Sequence, residues 1–182
     1  QFDEKTFLMS KQTPAAKSRA RRFALQALYQ VQFTEASAGQ VEMQFRQDHD
    51  MKRVDTAFFH DLVSGIMHAR GDLEQEIEDI MLQRSEDKPD SDEQADDGEA
   101  QENEPRSLKD LDPVARAVLL IGAFELSNRI EIPYKVVLNE SIELAKQFGG
   151  AESYRFVNQV LDKMAKVKRK VEVDHGAGRS EK

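Results

Sequence analysis

The chain has 182 residues, of which 39 % are hydrophobic, 33 % charged and 7 % aromatic, with a formal net charge of −8. That length suits one domain, or two small subdomains sharing a core. The absence of cysteine excludes disulfide frameworks, thiolate nucleophiles and cysteine-based zinc sites and fits a reducing cytoplasm; no apolar run approaches the ~18 residues of a membrane span.

Residues 1–12 are expected to be disordered or foreign to the fold, because "QFDEKTFL" precedes Met9-Ser10-Lys11, which reads as a natural start. A single all-α domain is expected over 13–170. Thr13 and Pro14 are a cap and an early helical position. From there Ala20, Phe23, Ala24, Ala27, Leu28 and Val31 recur at helical spacing. Residues 40–45, "QVEMQF", predict a short helical turn. Phe58, Leu62, Ile66 and Ala69 form the next stripe, with Asp55 in its first turn, where the helix dipole favours a carboxylate. Gly71-Asp72 punctuates the chain before Leu73, Ile77 and Ile80.

Residues 83–107 hold ten acidic and three basic side chains and no aromatic or branched aliphatic residue. Such a segment buries too little apolar surface to offset its ordering entropy, so it is expected to be a disordered acidic insertion. It carries nearly all of the net charge, which leaves the folded body close to neutral. Asp112 and Pro113 then start a helix that is apolar nearly all round, the expected central buried helix. The next opens at Pro133 and closes at Gly149-Gly150, and the last presents Phe156, Val157, Val160, Leu161, Met164 and Val167. Residues 171–182 are expected to be a disordered tail. No alternating strand and no hairpin signal interrupts this pattern.

The candidate chemistry is sparse. His49, His60, His68 and His175 have no metal-binding or catalytic spacing, the glycines form no phosphate loop, and Ser64-Gly65 lacks the context of a nucleophile elbow. Neither an enzyme nor a bound cofactor or metal is expected. Glu125, on an apolar arc, is expected to pair with Arg129 four residues on.

One stretch stands out. Lys17, Arg19, Arg21 and Arg22 place four cations and no anion in six residues at a helix start. Cations there oppose the helix macrodipole at about 0.3–1 kcal/mol each, which points to an anionic partner. Arginine matches phosphate through bidentate contacts, and arginine-rich segments bind RNA. Lys163, Lys166, Lys168, Arg169 and Lys170 end the last helix, where the dipole favours cations without any partner.

"RARRFALQALYQ" (19–30), "LIGAFELSNRIEIPYKVVLNESIELAKQFGG" (120–150) and "RFVNQVLDK" (155–163) together closely resemble the NusB family of bacterial transcription antitermination factors. The resemblance extends from about Lys17 to Lys166 apart from the acidic segment. It implies an all-helical fold of two packed three-helix-like bundles. It also implies binding of single-stranded boxA-type RNA in ribosomal RNA operon leaders, jointly with NusE, a small-subunit ribosomal protein, and action in the transcription elongation complex with other Nus factors. The family's arginine-rich N-terminus maps onto Lys17, Arg19, Arg21 and Arg22. Ser18 stands where a further basic residue is expected. Glu152 and Phe156 match the other end of the family's RNA surface, and Tyr29 sits beside the basic face. Phe156 suits base stacking or, equally, the core. Two other classes remain open: a protein-binding adaptor, and a ribosomal RNA-binding domain like those found N-terminal to ribosomal RNA methyltransferases.

The acidic insertion is longer than the expected family connection. It is expected to hang free in solvent; alternatively it folds back over the basic helix, where its carboxylates compete with phosphates within a Debye length, about 8 Å at physiological salt. Its deletion is expected to leave folding intact and to strengthen non-specific RNA binding at low salt only, as read by titration at two ionic strengths.

Overall fold

Thr13 accepts the Ala16 N–H at 3.2 Å, and with Pro14 behind it the chain enters α1, Pro14–Val31. A computed structural model describes residues 13–86 and 107–177. Among these the regular structure is helical: α2 Ala38–Asp48, α3 Thr56–His68, α4 Arg70–Glu86, a 3-10 turn Leu108–Asp110, α5 Pro113–Asn128, α6 Tyr134–Phe148, α7 Ser153–Lys168 and α8 Lys170–Ala177. The N-terminal α1–α3 form one bundle and α4–α7 the other. They share α5, which packs against α1, α3, α4, α6 and α7.

That position follows from composition. Asp112 caps the Val114 and Ala115 N–H groups at 2.9 and 3.4 Å, and the side chains from Ala117 to Leu126 are then buried without a break. A helix apolar all round is stable only when covered on all sides. Close crossings are made by small residues. A Cβ on Gly65 of α3 would meet the Phe124 ring at 2.4 Å, and one on Gly122 of α5 would meet Leu161 Cδ1 of α7 at 2.5 Å. Ala16, Ala20, Ala24 and Ala27 give α1 the same thin face toward its neighbours.

Several boundaries differ from the sequence expectations. The short turn over 40–45 is a full helix, because Ser37 and Gln40 form a capping box, each satisfying the other's backbone N–H. Asp55 is the cap of α3, accepting the Phe58 N–H at 3.0 Å, not a first-turn residue. The break between α3 and α4 falls at Ala69, ahead of Gly71-Asp72. Helix α4 continues to Glu86, and Ser107 Oγ donates to Glu78 at 2.8 Å while capping the 3-10 turn. The ends of the expected insertion 83–107 are therefore structured, and a deletion must stop short of Ser107. Residues 87–106 lie outside the described residues, as do 1–12 and 178–182.

The expected disordered tail also needs correction over its first part, where α8 has a structural task. Glu172 accepts the Tyr134 N–H at 2.9 Å, which caps the start of α6 in place of a local side chain. The same carboxylate pairs with Arg169 at 2.9 Å. Arg169, 7 % exposed, spreads its guanidinium over the end of α5, donating to the carbonyls of Leu126 (2.7 Å), Arg129 (3.0 Å) and Glu125 (3.3 Å). The Glu125 and Arg129 carbonyls also accept backbone N–H groups, from Arg129 and Ile132 at 3.0 Å, so the side chain adds a second bond to each and supplies the partner that the Leu126 carbonyl lacks at the helix end. Arg169→Ala should cost about 1–3 kcal/mol, the usual cost of one orphaned buried acceptor, here the Leu126 carbonyl. Arg169→Lys should recover only part of that, with urea denaturation as the measurement.

Candidate nucleic-acid interface

The cations at the start of α1 separate into two classes. Arg21 is 2 % exposed, with Nε and Nη2 each 2.7 Å from one carboxylate oxygen of Glu125, itself 1 % exposed. Glu140 of α6 adds a third oxygen at 3.3 Å, and the Phe58 ring centroid lies 5.1 Å from the guanidinium carbon. Arg21 is thus not available to RNA, a correction to its place in the basic cluster. Glu125 pairs with Arg21 and not with Arg129, which instead binds Asp61 and, at 2.7 Å, Glu131. Burial pushes the Glu125 carboxyl above its ordinary range, and the hydrogen bonds and charge of Arg21 oppose that. Burial likewise disfavours the charged Arg21, but the two carboxylates outweigh it and hold the guanidinium protonated.

Lys17 belongs partly with Arg21. Its ammonium is 2.8 Å from Asp55 and 4.8 Å from the Phe58 centroid, with a quarter of the side chain exposed. Arg19 and Arg22 are exposed. Arg19 donates to the Arg53 carbonyl at 3.3 Å, and Arg22 to Gln147 Oε1 at 3.1 Å. Ser18, where a base was expected, donates to Glu140 at 2.8 Å. Ser18 and Arg22 therefore line a polar seam between α1 and α6.

That seam leads to a second group that sequence reasoning missed. The Arg22 guanidinium lies 5.9 Å from the Phe148 centroid, at the end of α6. Lys146, on the last turn of the same helix, is 5.4 Å from the ring of Tyr154. Arg155 is 5.8 Å from that ring while donating Nε to its hydroxyl at 3.1 Å. Glu152 is exposed and pairs with Arg155 at 3.1 Å. Phe156, named above for base stacking or the core, is half-buried against the core, as are Phe148 and Tyr154; the cations of this corner lie over the rings of Phe148 and Tyr154. The available signal was "KQF" and "SYR" flanking the glycine pair, aromatic residues next to cations on both sides of one turn. At the other end of α1, Tyr29 is 43 % exposed, seven residues from Arg22 and so on the same face of the helix.

Among the described residues no group of three or more His, Cys, Asp or Glu side chains is placed to hold a metal, and no helix is long and apolar enough to cross a membrane. A cleft of about 320 Å³ beside α4 is lined by polar groups already spent on each other: Arg70 with Glu74, Glu78 with Ser107, and Arg116 with the Leu108 and Lys109 carbonyls.

The family model for NusB matches residues 18–95 and 97–166. This chain belongs to the NusB family. The match crosses the acidic segment with a single break, whereas the sequence resemblance had excluded that segment. The chain is 41 % identical to the transcription antitermination protein NusB of Yersinia enterocolitica over 157 residues, covering 86 % of this chain and 97 % of that protein. It is 38 % identical to the same-named protein of Marinobacter nauticus over 150 residues, covering 82 % and 80 %. The solved structure of T. maritima NusB superposes with a TM-score of 0.61 at 26 % identity, covering 85 % of this chain and 92 % of that one.

The split among the cations is testable by stability. Arg21→Ala should cost about 3–5 kcal/mol, because it strands a buried carboxylate. Arg19→Ala and Arg22→Ala should each change stability by no more than ~0.5 kcal/mol. Without Arg21 the upward shift of Glu125 is opposed only by the charge of Arg129, so the folded variant holds a proton that its unfolded chain releases. Its stability then falls as pH rises past the ordinary glutamate value of ~4.3. The deficit should be largest at neutral pH and smaller below pH ~5, as measured by denaturation across pH.

Proposed function

We propose that this NusB-family chain acts in transcription antitermination by binding single-stranded boxA-type RNA, jointly with NusE, on the face that runs from Tyr29 through Arg19 and Arg22 to Phe148, Tyr154 and Arg155. One observation carries the reading: exposed arginines alternate with aromatic rings along a surface continuous from α1 to the α6–α7 corner. Single strands are held by this combination, with cations tracking the phosphates and rings stacking on unpaired bases. The family name supplies antitermination. The same membership supports association with the elongation complex and other Nus factors, and with it a cytoplasmic location.

The cations divide the work. Arg19 and Arg22 contact phosphates, Lys17 contributes from the edge of its ion pair with Asp55, and Arg21 shapes the helix from beneath. Glu152, paired with Arg155, restrains that arginine at the corner. The basic helix supplies few base contacts, so affinity for RNA alone is modest and NusE completes the surface. The chain's role is binding, not catalysis.

The test is titration of boxA-type and scrambled RNA with and without NusE. Tighter binding of the boxA-type strand, enhanced by NusE, is expected. Arg19→Ala combined with Arg22→Ala should weaken binding and leave thermal stability unchanged. It should also flatten the log–log salt dependence by ~0.7 for each phosphate no longer neutralised. Equal binding of both RNAs, or an unaltered salt slope in the double variant, overturns the reading.

A further inference from the structure

Phe33 is 64 % exposed, more than Tyr29 at 43 %, and nothing in the fold requires an aromatic residue there. It lies just past the end of α1, where its N–H bonds the Gln30 carbonyl at 3.1 Å and the backbone continues the helical sense for one more turn. Its ring centroid is 5.1 Å from that of Tyr29, with the planes inclined at 57°. Arg22, Gln26, Tyr29 and Phe33 are spaced i, i+4, i+7 and i+11, which puts all four on one stripe of the helix surface. The stripe extends about 16 Å along the axis from Arg22 to Phe33, room for several nucleotides of an extended strand. Its far end is held in place: Gln32 donates to the Pro113 carbonyl at 2.8 Å, and Gln30 to Gln44 at 3.1 Å.

We propose that Phe33 is a base-stacking residue of this protein, forming with Tyr29 an aromatic station at one end of the RNA track that begins at Arg22. The inference rests on the RNA-binding reading above and adds to it a residue, a direction and a longer footprint. A simpler role is a hydrophobic contact closing the end of α1, of the kind that often accompanies a helix C-terminus. Any aliphatic side chain serves that purpose, and the contact leaves most of the Phe33 ring in water. A protein partner on the same rings is the competing occupant. The continuity of the stripe with Arg22 favours a strand carrying both phosphates and planar bases.

The closing experiment separates these roles. Full-length protein is titrated with boxA-type single-stranded RNA, with and without NusE, as wild type, Phe33→Leu and Phe33→Trp. The leucine variant keeps an apolar contact with Tyr29 but has no π-face. It should bind RNA roughly five- to a hundredfold more weakly, with an unchanged salt slope because every phosphate keeps its cation. The tryptophan variant should restore affinity. Since the chain has no other tryptophan, the new indole is a direct reporter, and RNA should quench its fluorescence. Wild-type RNA affinity in the leucine variant, or an indole unaffected by RNA, overturns the proposal and leaves the capping contact. Weakened binding of NusE with RNA affinity intact overturns it in favour of a protein contact. Failure of the wild-type protein to bind RNA at all removes the functional reading itself, a result distinct from the others.

Discussion

Helices α1 and α5 cross where the Arg21 guanidinium meets the Glu125 carboxylate through two bonds of 2.7 Å, both side chains nearly out of water. Taking two such charges from water costs several kcal/mol per ion, and only good geometry with every lone pair and proton satisfied offsets it. Here Glu140 and the face of Phe58 complete the shell around Arg21. The pair fixes the rotation of α1 about its own axis. With Arg21 turned inward, Arg19 and Arg22 point out, and the exposed stripe through Tyr29 follows from helical geometry alone. The surface chemistry of the N-terminal helix is therefore set from inside, by a residue that itself touches no solvent partner.

The same economy governs the far end of α5. This helix carries Glu125 at the crossing with α1, and its last carbonyls are gathered by Arg169 at the junction of α7 and α8. Arg169 is held in turn by Glu172, whose other oxygen caps α6. Two arginines at opposite ends of the sequence thus clamp one helix, and the loop between α5 and α6 is tied down by side chains as well as by its own turn, in which the Ile132 N–H bonds the Arg129 carbonyl at 3.0 Å. At the base of α1, Asp55 plays a comparable double part, capping α3 and pairing with Lys17.

The all-α class, the buried central helix and the helix starts at Thr13 and Asp112 were legible because each depends on local signals: caps, prolines and apolar period. What was not legible is tertiary. Arg21 follows Ala20 and precedes Arg22, and its inward turn depends on the carboxylate that α5 brings against it from about a hundred residues away. Glu125 was recognised as a charge on an apolar arc, but the i+4 arginine is the partner sequence spacing offers, and α5 ends before Arg129 can turn back toward it. Arg169 was grouped with surface lysines because a guanidinium in a run of cations carries no mark of burial. Helix α2 reads as a short turn from its brief apolar period, and the Ser37 and Gln40 capping box is the local signal that sets its full length. Of the candidate site, the α1 arginines and Tyr29 could be read from charge and spacing, whereas Tyr154 and Phe148 gain meaning only when two turns of chain fold beside Arg22.

The staple at Glu78 separates the register of the helices from the length of the connection. Where the chain returns after α4, Ser107 Oγ and the Leu108 N–H both fasten to Glu78, at 2.8 and 3.1 Å. That anchor lies about two turns ahead of the end of α4 at Glu86, so the re-entry point is registered on the body of the helix and not on its tip. Whatever joins the two anchors is relieved of any duty to align them. Closure entropy rises by only ~0.6 kcal/mol per doubling of loop length. The connection can accordingly be lengthened, shortened or recharged while the helices on either side keep their register. The net charge of the chain can thus be changed there without disturbing the face that runs along α1.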